Sequence, residues 1–260
     1  MKYTFDYIAR WLSTNIRMLL NNTVIASIVL LLVSYAVKDG AFEEFTATKM
    51  CIISVLICNI WFGIFNSIGI FCSEQNYMLD DLTKFLPVRA YITGNVIIQF
   101  LQCLLEALVS ACIFKLFFAY DTVGSVFQNS DIDYFLTFFL VLYCADMLGL
   151  LVGLIISGIK PLMSAVPILL AAQLLFSGCL FELNKTLDKI AYITTAKWGF
   201  YALGSIADLN SLLPPGSEFD YFSHSADYIL YCWRYLILLT LMFIFIAGMA
   251  LYFRINRMES

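Results

Sequence analysis

The sequence contains few charged residues and a single histidine, and it lacks the loop that holds nucleotide phosphates. Charged residues make up 13% of the 260 residues and hydrophobic residues 62%, in long blocks unlike the short apolar runs of a soluble core. No G-x-x-x-x-G-K-[ST] motif occurs, so the chain is not expected to hydrolyse ATP by itself. His224 has no nucleophile or ligand cluster near it in the sequence, and we interpret it as a surface residue.

The cysteines also lack the spacing of a functional site. No CxxC or Cys/His pattern occurs among them, so neither a metal site nor a redox site is predicted. Because free cysteines are commonly buried, we expect them to pack inside the protein. Cys179 and Cys232 lie near the predicted outer face, where the sequence leaves a disulfide open. The eight positions are Cys51, Cys58, Cys72, Cys103, Cys112, Cys144, Cys179 and Cys232.

Six apolar runs approach the length that crosses a membrane. A helix rises 1.5 Å per residue and the hydrocarbon layer is ~30 Å thick, so a span needs about 20 apolar residues. The sequence therefore predicts an all-α membrane protein, with residues 1–260 forming a single transmembrane domain. The predicted spans are 22–37, 50–71, 93–118, 134–158, 162–181 and 227–252.

Two segments outside these spans have a distinct pattern. Residues 3–20 place apolar side chains on one helical face and charged ones on the other, which is typical of a helix lying in the membrane interface. Residues 182–226 form the largest loop, and its apolar first half is expected to fold back on the membrane as short re-entrant helices. Basic residues are in excess on the side that holds both termini, which predicts that both are cytoplasmic. The acidic residues form no patch, and no nucleic-acid partner is predicted.

Two acidic residues, Glu106 and Asp146, lie near the middle of predicted spans. A charge in hydrocarbon is costly, so an acid at this depth is expected to lie inside the protein with polar partners. Asn95, Gln99, Gln102 and Glu106 follow one another at helical spacing and form one polar stripe. Hydrogen bonding between helices is the simpler interpretation of this stripe, and a substrate or proton-relay site is the alternative.

Residues 176–204 begin F-S-G-C-L and end W-G-F-Y-A-L-G. This stretch resembles the F-S-G-x-L…W-x-x-Y-x-S-x-P-R-Y-G-F-x-A-L signature of the G subfamily of ATP-binding cassette (ABC) transporters. A second match is the N-I-W-F of 59–62, followed twelve residues later by Glu74. The resemblance covers essentially the whole chain, although no ATPase domain precedes the first helix, residues 196–198 replace the P-R-Y, and Asn95 replaces a usual lysine.

The resemblance implies the permease subunit of an exporter that works as a homodimer or heterodimer in the lipid bilayer. ATP and Mg would be bound by a separate ATPase subunit, and no cofactor is expected in this chain. That separation favours a bacterial plasma membrane, and the substrate would be amphipathic, lipid-like or a peptide. The implied residues are Asn59, Phe62, Ala171 and Leu174 in a substrate cavity at the dimer axis, Cys179 and Leu180 in an exit valve, and Glu74, Asp80, Asp81, Lys84 and Arg89 in coupling to the ATPase.

Two other classes of protein remain open from the residues alone. One is an ion-coupled secondary transporter or channel that uses Glu106 and Asp146, although the spans show no inverted repeat. The other is a membrane assembly or sensory protein without transport. An ATPase that co-purifies with the chain would separate the exporter from both.

Overall fold

The computed structural model is helical through almost all of the residues it describes, which are 2–84, 87–118, 126, 127, 129–156, 158–180, 184–214, 216, 217 and 219–259. The side chains at 2, 71–84, 185 and 257–259 lie outside this description. The helices of the described chain are α1 (Lys2–Ala36), α2 (Phe45–Lys84), α3 (Val88–Phe117), α4 (Ser130–Ile155), α5 (Ile159–Leu175), α6 (Lys185–Ala191), α7 (Thr195–Ile206) and α8 (Ala226–Glu259), with 3₁₀ turns at Leu209–Leu212 and Asp220–Phe222.

Five helical segments are long and apolar enough to cross a membrane. A sixth apolar helix, α5, has 17 residues, which gives a rise of about 26 Å and falls short of the ~30 Å hydrocarbon layer. The prediction of an all-helical membrane protein is confirmed, whereas six full-length spans are not found in the described residues. The five segments are Tyr3–Ala36, Phe45–Ile70, Val88–Phe117, Ser130–Ile155 and Ala226–Asn256.

Helix α5 ends at Leu175, earlier than the predicted span 162–181. The hydroxyl of Ser177 donates a hydrogen bond to the Leu174 carbonyl at 2.6 Å, and Gly178 has a φ of 76°. Gly178 lies three residues after the last residue of α5, and its left-handed conformation, which glycine adopts at little cost, turns the chain there. The apolar run continues to residue 181, but these local features stop the helix before the run is complete.

Helix α1 is continuous, so the predicted interfacial segment 3–20 and the predicted first span 22–37 form a single helix. The polar residues at this junction do not break it, because their side chains bond back to the preceding turn. Thr23 Oγ1 donates to the Leu19 carbonyl at 3.1 Å, and Ser27 Oγ donates to the Thr23 carbonyl at 2.6 Å. Such bonds satisfy a hydroxyl inside a helix.

Helix α2 also continues past the predicted end of its span at residue 71 and reaches Lys84. The residues after the predicted span are therefore an extension of α2 as far as Lys84. Residues 72–84 contain neither glycine nor proline, so no residue in this segment favours a break. Pro87 precedes α3 with a φ of −66°, and a proline disfavours helical geometry in the residue before it.

Contacts between helices define two ends of the bundle. At one end the ring of Tyr7 on α1 lies 5.5 Å from that of Tyr91 on α3, and Arg254 on α8 donates to the Leu154 carbonyl on α4 at 3.3 Å. We call this the terminal end, because α1 begins and α8 ends here. The opposite, large-loop end holds α6, α7 and the 3₁₀ turns between α5 and α8.

Helix α4 lies at the centre of the bundle and packs on α2, α3, α7 and α8. In the most apolar stretch of α4, 72% of the residues are buried inside the protein, compared with 11% in that of α1. The face that α1 leaves uncovered is apolar, as expected of a helix exposed to lipid. Helix α4 is therefore the core of the fold, and α1 lies at its edge.

The prediction of short helices in the first half of 182–226 is confirmed by α6 and α7. Helix α7 packs on α4 and α8 and buries Trp198, Phe200 and Leu203. That these helices re-enter the membrane stays a prediction. Cys179 and Cys232 are both free, so the disulfide that the sequence left open is absent from the structure.

Candidate functional site

Glu106 lies in the bundle interior with 3% of its surface exposed. Asn66 on α2 donates from Nδ2 to Oε2 of Glu106 at 2.7 Å, and Gln102, one turn earlier on α3, donates from Nε2 to Oε1 at 2.6 Å. Gln102 Nε2 also lies 3.2 Å from the hydroxyl of Thr23 on α1. Both carboxylate oxygens thus have amide donors, and the bonds connect α1, α2 and α3.

Asp146 on α4 is fully buried, and its carboxylate faces the side chain of Ser67 on α2. The Ser67 hydroxyl bonds to Oδ1 of Asp146, and Cys103 Sγ lies 3.4 Å from Oδ2. With the Gln99 amide turned so that its nitrogen faces the carboxylate, Nε2 donates to Oδ2 at 3.0 Å. Asp146 therefore bonds to uncharged groups of α2 and α3, and no cation of the described chain pairs with it.

Close approach of α2 and α4 brings these polar groups together. A Cβ atom on Gly63 of α2 would lie 2.4 Å from the Leu142 carbonyl oxygen of α4, and one on Gly149 of α4 would lie 2.7 Å from the Ile64 carbonyl oxygen of α2. Small residues allow helix backbones to approach closely in membranes. The two glycines lie on either side of the Ser67–Asp146 contact along the helices and hold it at short range.

The predicted location of the polar stripe on α3 is confirmed. Asn95, Gln99, Gln102 and Glu106 are all buried, and Asn95 Nδ2 lies 3.1 Å from the Tyr7 hydroxyl of α1. The location of Glu106 and Asp146 inside the protein, bonded to neighbouring helices, is also confirmed. Whether these residues are structural or take part in transport stays a prediction.

The partners that α2 contributes, Asn66 and Ser67, were not predicted from the sequence. Asn66 and Ser67 follow Asn59 by seven and eight residues, which places them on the same helical face two turns further on. That spacing was a signal available in the sequence. Asn59 itself is buried, accepts a hydrogen bond from Ser110 Oγ at 2.9 Å and donates to the Val55 carbonyl at 2.8 Å.

Phe62, predicted to line a substrate cavity, is half-buried on the side of α2 that faces α1. A groove of about 440 Å³ opens between these two helices. Apolar side chains such as Phe62, Phe65 and Val29 form most of its wall, with the amides of Asn22 and Asn66 at one end. Since Asn66 also binds Glu106, the groove is connected directly to the buried polar network.

The other residues of the predicted cavity and valve lie near the large-loop half of α5. Ala171 is exposed and Leu174 is half-buried. Cys179 is buried and donates from its backbone N–H to Ser177 Oγ at 3.0 Å, whereas Leu180 is 51% exposed. Their roles in a cavity or valve between two copies stay predictions.

Most of the predicted coupling residues have side chains outside the described residues. Glu74, Asp80, Asp81 and Lys84 all belong to the last turns of α2. Arg89 is exposed at the start of α3. It lines an open pocket at the terminal end, whose other wall is formed by the first turns of α1.

This fold is that of a helical membrane protein, with long apolar helices surrounding a buried polar core. The ABC-2 type transporter family profile matches residues 6–207, and the chain belongs to that family. ABC-2 domains are the membrane component of ABC transporters and work with an ATP-binding partner. The matched region includes α1 to α7 and therefore all of the buried network.

A curated relative supports the same class. Over 132 residues, 50% of this chain, the sequence is 25% identical to an ABC transporter ATP-binding/permease protein of Mycobacterium tuberculosis. The aligned region spans only 15% of that relative's length. That relative combines ATP-binding and permease functions in its name.

Proposed function

We propose that this chain is the membrane-spanning permease subunit of an exporter whose ATPase is a separate polypeptide, with a G-subfamily-like arrangement of helices. The observation that carries the proposal is the ABC-2 match across 6–207, on a helical bundle with five apolar segments of spanning length. The short helix α5 is proposed as the sixth span, with local thinning of the bilayer to accommodate its length.

The ATPase is proposed to dock at the terminal end of the bundle. Helix α2 extends beyond its apolar segment, which ends at Ile70, as far as Lys84. This extension adds about 21 Å of helix, long enough to project from the membrane surface. Its sequence carries Glu74, Asp80, Asp81 and Lys84, and the exposed Arg89 follows at the start of α3. Both chain ends would then lie in the cytoplasm, in a bacterial plasma membrane.

A second copy of a permease is proposed to complete the transport path. The dimer cavity would use Phe62 and Leu174, and the exit would be closed by Cys179 and Leu180. The groove between α1 and α2 supports an amphipathic or lipid-like substrate, because its wall is apolar and two amides lie at one end. Ligand sites commonly combine an apolar wall with a few polar groups that fix orientation.

Reconstitution with the ATPase tests this proposal. The chain and its ATPase are incorporated into sealed proteoliposomes, and movement of a fluorescent amphiphile is followed after ATP addition. We expect movement that requires ATP and stops when the ATPase carries a substitution in its own phosphate loop. Movement that follows an imposed proton gradient without ATP would instead assign the chain to the ion-coupled class.

That second candidate is favoured by one observation, the two buried carboxylates that have no ion-pair partner among the described side chains. Such acids within spans are frequent in proton relays. Glu106 and Asp146 nevertheless both have amide, hydroxyl or thiol donors, as structural residues would. Neutral hydrogen-bond partners on α2 and α3 support a structural role, and we keep ATP-driven export as the proposed function.

A further inference from the structure

A pocket lined by aromatic rings opens at the large-loop end, away from the buried polar network. Its volume is about 580 Å³, within the ~300–1,000 Å³ of small-molecule sites. Five tyrosines and one tryptophan contribute to its wall, together with two aspartates and one lysine. Helices α6, α7 and α8 and the 3₁₀ turn Asp220–Phe222 supply these side chains. The pocket is therefore formed by a part of the chain to which the exporter mechanism assigns no binding role.

One side of this pocket already holds an ammonium group, that of Lys197. Lys197 is only 3% exposed and forms an ion pair with Asp188. Its Nζ lies 4.2 Å from the centroid of the Tyr192 ring and 5.6 Å from that of Tyr201. Ring faces attract cations at these distances, and most strongly where water is excluded. The pocket wall thus stabilises an ammonium ion by ring faces and one carboxylate.

The same pocket also has a carboxylate and ring faces that hold no cation from the described chain. Asp220 is exposed and forms no ion pair within the described residues. The rings of Tyr228 and Tyr231 line the same pocket, with their centroids 6.1 Å apart. With Asp188 neutralised by Lys197, the carboxylate of Asp220 leaves the described residues of the pocket wall with one negative charge.

The tyrosines do not add to this charge at neutral pH. Burial raises the pKa of the Tyr201 hydroxyl above its ordinary value, so it remains a neutral hydrogen-bond donor. Aromatic rings present a negative face, and the carboxylate acts in the same direction. An anion would be repelled by both, and the Lys197 ammonium that could attract it is already paired.

We propose that this pocket is a binding site for an organic ammonium ion, with Asp220 as its counter-ion and the rings of Tyr228 and Tyr231 as its cation–π partners. The ammonium group belongs either to the head of an amphiphile or to a free small cation. This inference concerns binding alone and does not depend on transport or on an ATPase. Its failure is therefore distinguishable from failure of the proposed function.

The test is isothermal titration of the purified full chain in nanodiscs made of phosphatidylglycerol, which carries no choline. Choline is compared with 3,3-dimethylbutan-1-ol, its neutral isostere. We expect choline to bind at least tenfold more tightly, because only choline gains from the carboxylate and the ring faces. Asp220→Asn and Tyr231→Leu should each weaken choline binding about fivefold or more. Asp220→Asn leaves all the ring packing in place, so weaker binding by this variant cannot be caused by disturbed packing.

Matched controls come from α8, the helix that carries Tyr228 and Tyr231. Asp227→Asn removes an exposed acid near the start of α8, and Tyr252→Leu removes an exposed tyrosine near its other end, and neither residue lines the pocket. Both should bind choline like the unmodified chain. Equal binding of choline and its neutral isostere, or unchanged binding by both pocket variants, would overturn the proposal.

A second titration distinguishes the source of the ammonium group. Dodecyltrimethylammonium is added below its critical micelle concentration to the unmodified chain and to Asp220→Asn. At least tenfold tighter binding than choline, lost in the variant, assigns the site to an amphiphile. Affinity similar to that of choline, also lost in the variant, assigns it to a free cation. Binding that is the same in the variant and the unmodified chain contradicts the site itself.

Discussion

The hydroxyl of Ser67 on α2 lies within hydrogen-bond distance of both the side-chain carboxylate and the backbone carbonyl of Asp146 on α4, the latter at 2.6 Å. This contact joins α2, the longest helix of the described chain, to the helix at the centre of the bundle. If an ATPase moves the extension of α2, the contact is one place where that movement reaches the core.

Gly63→Ala is expected to destabilise the protein by about 1–3 kcal/mol, which is typical of overpacking. Its new Cβ would lie 2.4 Å from the backbone oxygen of Leu142, and a backbone atom cannot move aside as the end of a side chain can. Gly248→Ala is the matched control, because a Cβ there meets no atom within 4 Å. Thermal unfolding in detergent should show a lower unfolding temperature for Gly63→Ala and little change for Gly248→Ala. Equal unfolding temperatures would contradict the close packing of α2 and α4.

Glu106→Gln is expected to leave substrate-stimulated ATP hydrolysis of the assembled transporter nearly unchanged. The amide retains one oxygen for Asn66 or Gln102, so the loss should be about 1 kcal/mol of stability, as for other hydrogen bonds between membrane helices. Glu106→Leu removes both acceptor oxygens and leaves one buried N–H of each amide without that partner. It should therefore reduce stability more than Glu106→Gln does. Unfolding temperature and ATP hydrolysis are the two measurements. Transport abolished in Glu106→Gln, with folding and ATPase binding intact, would indicate a relay or substrate site instead.

Phe62→Ala is expected to reduce transport at least severalfold while changing the unfolding temperature little. The side chain is half-buried and lines the groove between α1 and α2, so its removal enlarges a space that is already open. Phe245→Ala is the control, since that ring is 70% exposed on α8 and should affect neither quantity. The two variants are compared in the proteoliposome assay at matched protein amounts. A loss of stability as large as the loss of transport would make Phe62 a core residue only.

Arg89→Glu is expected to weaken binding of the ATPase about tenfold or more, because it reverses an exposed charge at the terminal end beside the extension of α2. Lys189→Glu makes the same change at the large-loop end, where α6 lies, and should leave the affinity unchanged. Surface plasmon resonance with the nanodisc-bound chain gives both affinities. If Lys189→Glu has the larger effect, the ATPase docks at the other end and the proposed orientation is wrong.

Several features of this protein followed from its sequence by simple periodicity. The stripe from Asn95 to Glu106 was predicted because polar residues at spacings of four and three share one helical face. The burial of Asp146 followed from the cost of a charge in hydrocarbon. The apolar first half of the large loop likewise predicted α6 and α7.

The features that were missed depend on tertiary contacts or on local bonds that composition does not reveal. The partnership of Ser67 with Asp146 requires the register between α2 and α4, which the glycines at 63 and 149 set through backbone contact. Helix α1 tolerates polar residues such as Thr23 because their hydroxyls are satisfied by bonding back within the helix. The early end of α5 is followed by a local turn at Ser177 and Gly178, which the hydropathy of the run does not distinguish.

The most direct test of the account is to isolate the affinity-tagged chain from its native membranes in mild detergent and to measure ATP hydrolysis by the isolated material. Proteins that accompany the chain are identified in the same preparation by mass spectrometry. The account predicts vanadate-sensitive ATP hydrolysis, an accompanying ABC ATPase as a separate polypeptide, and loss of both from the Arg89→Glu preparation. A stable, folded chain that carries no ATPase and hydrolyses no ATP would contradict it.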